Sequence, residues 1–337
     1  MSVVVVVAIT TAIINYIMDP VWNFGGNKLF PENYSFNERV TKTNIYLKNP
    51  TNYDCIVFGS STATLLDSKR IRNHQCFNYS VSAGTPPEFI QLADYILHHG
   101  TQPKLIIVGV DSRNFSRSRL MNQLPEFIAD LGKPAHPYKL LFSLDTLDFS
   151  IKTFLRKTPR PRYYTDLFDG DILANPAHYK PTHCFNKEHH GRPFNLWNLR
   201  YYSELREKFP ESQFLGYVAP ISAWDMATIY EDGTMDSYLD TIYQASREFD
   251  LFFDFAIPSP ITRDALLTYD GHHYQRAVND LIGDALNGED PKFGLKLNEL
   301  SKEEYKSRFI HQMESFVHSL YQPITFSENC QQESHIR

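Results

Sequence analysis

The sequence predicts an α/β protein built as a three-layer α/β/α sandwich around a parallel sheet. From residue 53 to residue 288, short apolar segments that match buried strands alternate with longer amphipathic segments that match helices. Connections of this βα type place helices on both faces of a parallel sheet. The proportion of hydrophobic residues, 42%, is that of an ordinary globular protein and supports a buried core.

Five apolar segments are predicted to form the sheet, at 54–58, 77–81, 104–110, 214–218 and 251–255. Ile56, Val57 and Phe58 form a continuous apolar run, which is typical of a strand buried on both faces. The predicted helices cover 62–72, 88–99, 196–209, 236–249 and 275–286. Because ligands bind at the carboxyl ends of the strands in such sheets, polar residues that follow the strands are candidates for a functional site.

The first predicted strand ends at Gly59 and is followed by Ser60 and Ser61. A glycine allows the backbone a close approach at this turn, and free N–H groups at the start of a helix stabilise a negatively charged oxygen. A serine in this place is therefore a candidate nucleophile. The alternative is an ordinary turn in which a hydroxyl caps the helix.

Asp270 and His273 precede the last helix of the alternating region, with two residues between them. A hydroxyl nucleophile needs a base that removes its proton and an acid that holds the base in the right tautomer. A polar loop with incidental histidines is the alternative. Since both this stretch and the Gly59 turn follow predicted strands, we expect them to meet at one edge of the sheet.

These stretches resemble conserved blocks of the SGNH, or GDSL-type, hydrolases and acyltransferases. The first block of that family is Gly-Asp-Ser, and this chain has Gly59-Ser60-Ser61; the second supplies a glycine, matched by Gly84; the last is Asp-x-x-His, matched by Asp270 and His273. The resemblance implies the SGNH hydrolase fold, with a flavodoxin-like sheet of five parallel strands. It also implies Ser61 as nucleophile, His273 as base and Asp270 as the acid that orients it.

The third block departs from the family pattern, because Asp111 stands where the family has an asparagine that donates to the oxyanion. An ionised aspartate only accepts hydrogen bonds. The oxyanion hole is therefore assigned to the N–H groups of Ser61 and Gly84, with Asn114 or Arg113 as a substitute donor, or with a protonated Asp111. The residues predicted to contact the substrate are Ser60, Asp111, Arg113 and His272.

Within the family, the layout looks most like the cell-envelope branches, such as alginate O-acetyltransferases and the D-alanine transfer protein of teichoic acids. This implies a membrane-anchored serine esterase or O-acyltransferase acting on an acylated envelope glycan or a similar ester, in the bacterial periplasm or on the extracytoplasmic face. The alternative is a catalytically inactive relative that binds an envelope glycan or an assembly partner, and the altered third block is the reason to keep it.

Residues 3–18 are apolar apart from two threonines and an asparagine. A membrane span needs about 20 such residues, and a secretory signal would add preceding basic residues and a cleavage site. We expect residues 1–20 to be an uncleaved membrane anchor or signal, with a buried strand as the alternative because of the valine run. Residues 21–52 are polar and rich in turns, and are predicted to form a stalk.

Residues 115–195 interrupt the SGNH-like region 53–288 and are predicted to form a cap over the cleft. The basic cluster at 152–162 is interpreted either as a contact for an anionic glycan or lipid headgroup or as a solvated face. Four histidines in this insert also permit a metal site, but their spacing does not match a ligand set, so we expect no metal and no cofactor. These histidines are His178, His183, His189 and His190. Residues 289–337 are predicted to be a helical extension, which packs on the domain or on a partner, followed by a polar tail.

The formal net charge of −6 and the absence of a basic stripe with interleaved aromatic residues give no basis for a nucleic-acid partner. Among the four cysteines, Cys55 lies in the first predicted strand and Cys76 lies just before the second, so they are candidates for a disulfide bond. Reduced thiols buried in the core are the alternative.

Overall fold

The computed structural model of this chain describes residues 3–100, 102–116, 125, 128, 131, 133, 136–165, 168–174, 179–181 and 192–320. The strands in these ranges are β1 (Cys55–Gly59), β2 (Cys76–Asn78), β3 (Leu105–Gly109), β4 (Arg162–Tyr164), β5 (Gly170–Ile172), β6 (Gln213–Val218), β7 (Leu251–Asp254) and β8 (Leu295–Lys296). The helices are α1 (Val3–Met18), α2 (Glu38–Lys48), α3 (Pro86–His98), α4 (His136–Leu141), α5 (Leu144–Phe154), α6 (Leu199–Lys208), α7 (Ala223–Glu231), α8 (Met235–Ser246), α9 (Arg276–Leu286) and α10 (Lys302–Leu320).

In the described part of the chain, the central sheet has six strands in the order β2-β1-β3-β6-β7-β8. The first five are parallel to their neighbours, and β8 is antiparallel to β7. The predicted α/β sandwich with five parallel strands in flavodoxin-like order is therefore confirmed. The sixth strand was not predicted because two residues are too few to show a periodic pattern.

Alternate residues of the strands pack into two separate hydrophobic layers. Ile56 and Phe58 of β1 face a layer that includes α2, α3, α6, α7, α8 and α10. Cys55 and Val57 face the opposite layer, which includes α9 and the short turns that follow β1. Because both faces of the sheet are buried, its strands are apolar at every position, as the sequence of β1 predicts.

Cys55 and Cys76 form a disulfide bond between β1 and β2, which is one of the pairings that the sequence left open. The two residues are partners in the strand register, with their Cα atoms 4.2 Å apart and a sequence separation of 21. A cross-link over a loop of this length restricts the unfolded chain and contributes about 3 kcal/mol to the free energy of unfolding. It fixes the two strands at their amino ends, opposite the edge where the candidate site residues lie.

The segment 21–52 is part of the domain, so the prediction of a stalk is wrong. Helix α2 packs on the sheet, and Tyr46 in it is fully buried. The hydroxyls of Thr43 and Tyr79 lie 2.6 Å apart, and Lys42 Nζ donates to the carbonyl of Asn78 at 2.8 Å. Polar residues that read as a solvated segment are used here for buried hydrogen bonds to β2 and the residue that follows it.

Residues 3–18 form helix α1, not the buried strand that the valine run allowed. Asn15 joins this helix to α4 and α5: its Nδ2 donates to the carbonyls of Leu141 and Ser143 at 2.9 and 3.1 Å, and its Oδ1 accepts from Ser150 at 3.0 Å. The valines at the start of α1 are exposed. None of the helices in the ranges that the structure describes has the length and apolar character needed to cross a membrane.

The predicted helix at 62–72 is replaced by two 3-10 turns, Ala63–Leu65 and Ser68–Arg70. The side chain of Asn78 donates from Nδ2 to the carbonyls of Ala63 and Leu66, at 2.9 and 3.0 Å. An α-helix would use these same carbonyls as acceptors for its own N–H groups. The side chain from β2 therefore holds the chain in turns at this place.

The insert 115–195 lies partly outside the described residues. Its described parts include α4, α5 and a hairpin of β4 and β5, in which Arg162 reaches the turn after β1. At the other end of the chain, α10 packs on α7 and α8 and so adds to the core of the domain. Its buried residues are Tyr305, Phe309, Met313 and Phe316. The predicted polar tail at 321–337 lies outside the described residues.

Candidate active site

The candidate nucleophile Ser61 follows β1 at the carboxyl edge of the sheet. A Cβ on Gly59 would lie 2.4 Å from the Cβ of Ala63 and 3.3 Å from the carbonyl oxygen of Gly109, so the turn requires glycine there. Ser60 is 1% exposed, and its Oγ has no hydrogen-bond partner in the described residues. The structure thus buries Ser60, which was predicted to contact the substrate, and directs Ser61 towards the histidine.

His273 connects the two stretches that the sequence singled out. Its Nε2 lies 2.9 Å from Ser61 Oγ, and its Nδ1 lies 2.7 Å from Asp270 Oδ2. With Nδ1 protonated and donating to Asp270, Nε2 carries the free lone pair and accepts the hydrogen of the Ser61 hydroxyl. This is the hydrogen-bond order that activates a serine for attack.

The loop 268–273 places the imidazole by means of its own backbone. Asp270 Oδ1 accepts from the N–H groups of His272 and His273 at 3.1 and 2.9 Å, while Thr268 Oγ1 donates to the carbonyl of His273 at 2.9 Å. Gly271 has a φ of 85°, and a Cβ on it would lie 2.5 Å from Asp225 Oδ2. The glycine between the acid and the base therefore serves both the left-handed turn and the close packing.

The electrostatics keep Asp270 ionised and His273 neutral. Burial acts to raise the pKa of Asp270, but hydrogen bonds from the His273 ring and from the N–H groups of residues 272 and 273 lower this pKa to about 2. Burial lowers the pKa of His273 from 6.5, and the nearby charge of Arg162 adds to this effect, while Asp270 opposes it. A neutral imidazole is the form that can act as a general base.

The two N–H groups assigned to the oxyanion hole differ in their bonding. The Ser61 N–H has no acceptor in the part of the chain that is described, so it is free to donate to a developing negative charge. The Gly84 N–H already donates to the carbonyl of Val81 at 2.9 Å. A Cβ on Gly84 would lie 2.6 Å from the carbonyl oxygen of Gly59, so this glycine is required for the close approach of two loops.

The substitute donors proposed for the third block are bonded to other groups. Asp111 accepts from Nε and Nη2 of Arg113 at 3.0 and 2.9 Å, so the carboxylate and the guanidinium are paired with each other. Asn114 is fully buried, and its Nδ2 contacts the hydroxyl of Tyr202 on α6 at 3.4 Å. The structure therefore places Asn114 against α6 rather than in the oxyanion hole.

Three of the residues predicted to contact the substrate do lie together. Asp111, Arg113 and His272 line a small cavity of about 30 Å³, and Thr62, the neighbour of the nucleophile, lines it too. His272 Nε2 lies 3.5 Å from Asp225 Oδ2. A space of this size holds a group of only a few atoms.

Arg162 and Tyr269 contact Ser61 and His273, and the sequence did not identify either contact. Nη1 of Arg162 donates to the carbonyl of Ser61 at 3.0 Å and to Thr64 Oγ1 at 3.3 Å. The ring of Tyr269 stacks on the His273 ring, with 5.3 Å between centroids and 7° between planes. Arg162 belongs to the basic cluster 152–162 noted in the sequence, and Tyr269 directly precedes Asp270, but nothing in the sequence indicates that either contacts the triad.

Within the described residues, no group of three or more histidine, cysteine, aspartate or glutamate side chains is arranged to hold a metal ion. The histidines of the insert, on which the metal alternative was based, lie outside the described residues. They are His178, His183, His189 and His190.

The protein is a parallel α/β sandwich with a hydrogen-bonded serine, histidine and aspartate at the carboxyl edge of its sheet. Models of known protein families do not match the chain, and no curated protein matches it. Solved structures that match include a protein from Parabacteroides merdae described as a GDSL-like lipase. It is 14% identical, the match covers 70% of this chain and 97% of that one, and the TM-score is 0.29. The site is therefore interpreted from its own geometry.

Proposed function

We propose that the chain is a serine esterase or O-acyltransferase of the SGNH type. The observation that carries this proposal is the pair of contacts from His273, 2.9 Å to Ser61 Oγ and 2.7 Å to Asp270 Oδ2. Ionised Asp270 and neutral His273 are the charge states that this chemistry requires.

In the first step Ser61 Oγ attacks the acyl carbonyl of an ester while its proton passes to His273 Nε2. The free N–H of Ser61 stabilises the oxyanion that forms. The tetrahedral intermediate collapses to an acyl-serine, and the leaving alcohol takes the proton from His273. In the second step His273 activates a water or an acceptor hydroxyl, which attacks the acyl-serine and regenerates the Ser61 hydroxyl.

The small cavity beside Thr62 supports a short acyl group, such as acetyl, as the portion that is transferred. An acylated cell-envelope glycan would present such an ester. Transfer to a glycan hydroxyl instead of water requires that water be kept from the acyl-serine. The cap predicted at 115–195 is the segment to which we assign this role.

A fluorophosphonate probe tests the proposal directly. We expect Ser61 Oγ to displace fluoride and form a phosphonyl-serine, detected by mass spectrometry on the peptide that contains residue 61. Ser61→Ala is expected to abolish the adduct, whereas Ser60→Ala, which removes the buried neighbouring hydroxyl, is expected to retain it. A folded wild-type protein that acquires no adduct would contradict the proposal.

The second candidate is an inactive relative that binds an envelope glycan or an assembly partner. It is favoured by one observation: Asp111 is paired with Arg113 in the place where the family has a neutral donor. The missing donor of an oxyanion hole costs roughly 3–4 kcal/mol in the transition state. Absence of labelling would support this candidate.

We also propose that α1 contacts a membrane surface on the extracytoplasmic side. Its exposed face carries Ile9 and Ile13, and the disulfide bond is typical of an oxidising compartment. A helix with an exposed apolar face binds at a bilayer surface because its apolar side chains become buried among the lipids.

We expect the protein to float with lipid vesicles, and we expect the double substitution Ile9→Glu and Ile13→Glu to prevent this flotation. Leu266→Glu, at an exposed leucine elsewhere, is the matched control, and equal flotation of all three proteins would contradict the proposal.

A further inference from the structure

A second cavity, of about 660 Å³, shares none of its lining residues with the small one beside Thr62. It is formed by residues 34–39, by one side of α5, by 157–160 and by β4, with Ser82 and Arg162 among its lining residues. We call it the basic cavity.

Positive side chains dominate the lining of the basic cavity. They are Arg39, Lys152, Lys157, Arg160 and Arg162, and Glu38 is the acidic residue among the lining residues. Like charges that face a common space repel one another, and an anion placed between them relieves this repulsion.

The carboxylates near the cavity already have hydrogen-bond or ion-pair partners. Glu38 accepts from the N–H and the hydroxyl of Ser82 and from the hydroxyl of Tyr164. Arg39 is paired with the buried Glu88 at 2.6 Å. Lys152 is paired with Asp148 on its own helix at 2.5 Å. In the described part of the chain, Lys157 and Arg160 are the exposed lining cations that have no ion pair.

Arg162 is built into the structure rather than solvated. It is 5% exposed, and Nη1 and Nη2 donate to the Ser61 carbonyl and to Ser82 Oγ at 3.0 and 3.2 Å. Its Nε is buried and has no hydrogen-bond partner among the residues described. It also forms no ion pair with any of them. A buried cation with an unused donor, at the wall of a cavity lined by further cations, is a site that an anion completes.

The cavity also has aromatic walls, and Arg162 connects it with the proposed catalytic groups. Phe36 packs edge-to-face on Tyr164 with 4.7 Å between centroids, and Tyr34 stacks on Tyr163. The charges of Arg162 and Arg160 both act on Tyr269, the residue whose ring stacks on His273. Aromatic walls suit the ring or chain that carries an anionic group.

We propose that the basic cavity is a binding site for an anionic group of the phosphate or carboxylate type, carried on a ring-bearing ligand. Lys157 and Arg160 attract and hold the anion at the entrance, and the charge of the Arg162 guanidinium stabilises it at the inner wall. Because Arg162 also donates to the carbonyl of Ser61, one guanidinium connects the bound group with the backbone of the proposed nucleophile. The inference rests on the proposed function only for the role of this group near Ser61.

Calorimetry with phenyl phosphate tests the site, and the protein used is the full chain carrying Ser61→Ala, so that turnover plays no part. We expect binding that weakens as sodium chloride is added. Adding Lys157→Gln and Arg160→Gln is expected to weaken binding about tenfold or more. The matched control adds Lys292→Gln and Arg308→Gln, which remove two exposed charges far from the cavity in sequence, and is expected to bind as tightly as the parent.

The site would be overturned by no binding of phenyl phosphate to the folded parent, or by the same loss in both double variants. Phenol, which lacks the anion, serves as the neutral probe, and equal binding of phenol would also contradict the proposal.

Steady-state kinetics of the wild-type protein with p-nitrophenyl acetate test how the anion relates to the substrate. If phenyl phosphate raises only KM, the anion is part of the substrate. A change in kcat identifies it as a separate ligand. Binding without fluorophosphonate labelling would retain the anion site and remove the proposed catalysis, and labelling without binding would do the reverse.

Discussion

Replacing His273 with alanine is expected to lower kcat/KM for p-nitrophenyl acetate by about 10⁴-fold or more. The substitution removes the only group in hydrogen-bond contact with Ser61 Oγ among the described residues, so the hydroxyl keeps its proton and remains a weak nucleophile. In the proposed mechanism it also removes the group that returns a proton to the leaving alcohol. Initial rates across a range of ester concentrations, with separate kcat and KM, measure the effect.

His311→Ala is the matched control, because this histidine lies exposed on α10. We expect wild-type kinetics from it. The His273 variant should remain folded, since the ring lies at the carboxyl edge of the sheet and its contacts are with Ser61, Asp270 and Tyr269. A His273→Ala protein with more than one tenth of the wild-type kcat/KM would show that another group activates Ser61.

The strands and the site residues that follow them were predictable for the same physical reason. A strand buried on both faces must be apolar at each position, and the run Ile56-Val57-Phe58 shows this directly in the sequence. The carboxyl ends of parallel strands meet at one edge, so the sequence alone predicts that these two distant stretches lie close together. The contact of His273 with Ser61 agrees with that geometric expectation.

The parts that were not predicted depend on long-range contacts of polar side chains. Lys42 and Thr43 look like residues of a solvated segment, yet both form buried hydrogen bonds with the residues around the end of β2. Asn78 takes the carbonyls that the predicted helix after β1 would need. Arg162 lies about one hundred positions from Ser61 and reaches it through a hairpin of the insert. A sequence pattern reports the period of apolar residues, but it contains no signal for such partners.

Replacing Asp270 with asparagine is expected to lower kcat by about 10⁴-fold while the protein stays folded. An asparagine can present its amide hydrogens to Nδ1, which favours the imidazole tautomer with the proton on Nε2. That tautomer cannot accept the proton of Ser61, although the distances in the site are little changed. The carboxylate also stabilises the imidazolium that forms during attack, and the amide does not.

The pH dependence separates these roles. In the wild-type protein the base must be neutral to accept a proton. Because burial lowers the pKa of His273 below 6.5, we expect kcat/KM to fall only when the pH is below 6.5. Asp270 has a pKa of about 2 and therefore stays ionised throughout this range. The negative charge of Asp270 raises the pKa of His273, so Asp270→Asn should shift the acid limb to still lower pH.

Asp290→Asn, at an exposed carboxylate outside the site, should leave both the rate and the profile unchanged. If Asp270→Asn lowered the rate but shifted the acid limb to higher pH, the charge of Asp270 would not be acting on His273 in the way that the 2.7 Å contact requires. If it left kcat within tenfold of the wild type, orientation by Asp270 would contribute little, and Ser61 with His273 would operate as a dyad. The direction of the pH shift thus tests the electrostatic contact, and the size of the rate loss tests the control of the tautomer.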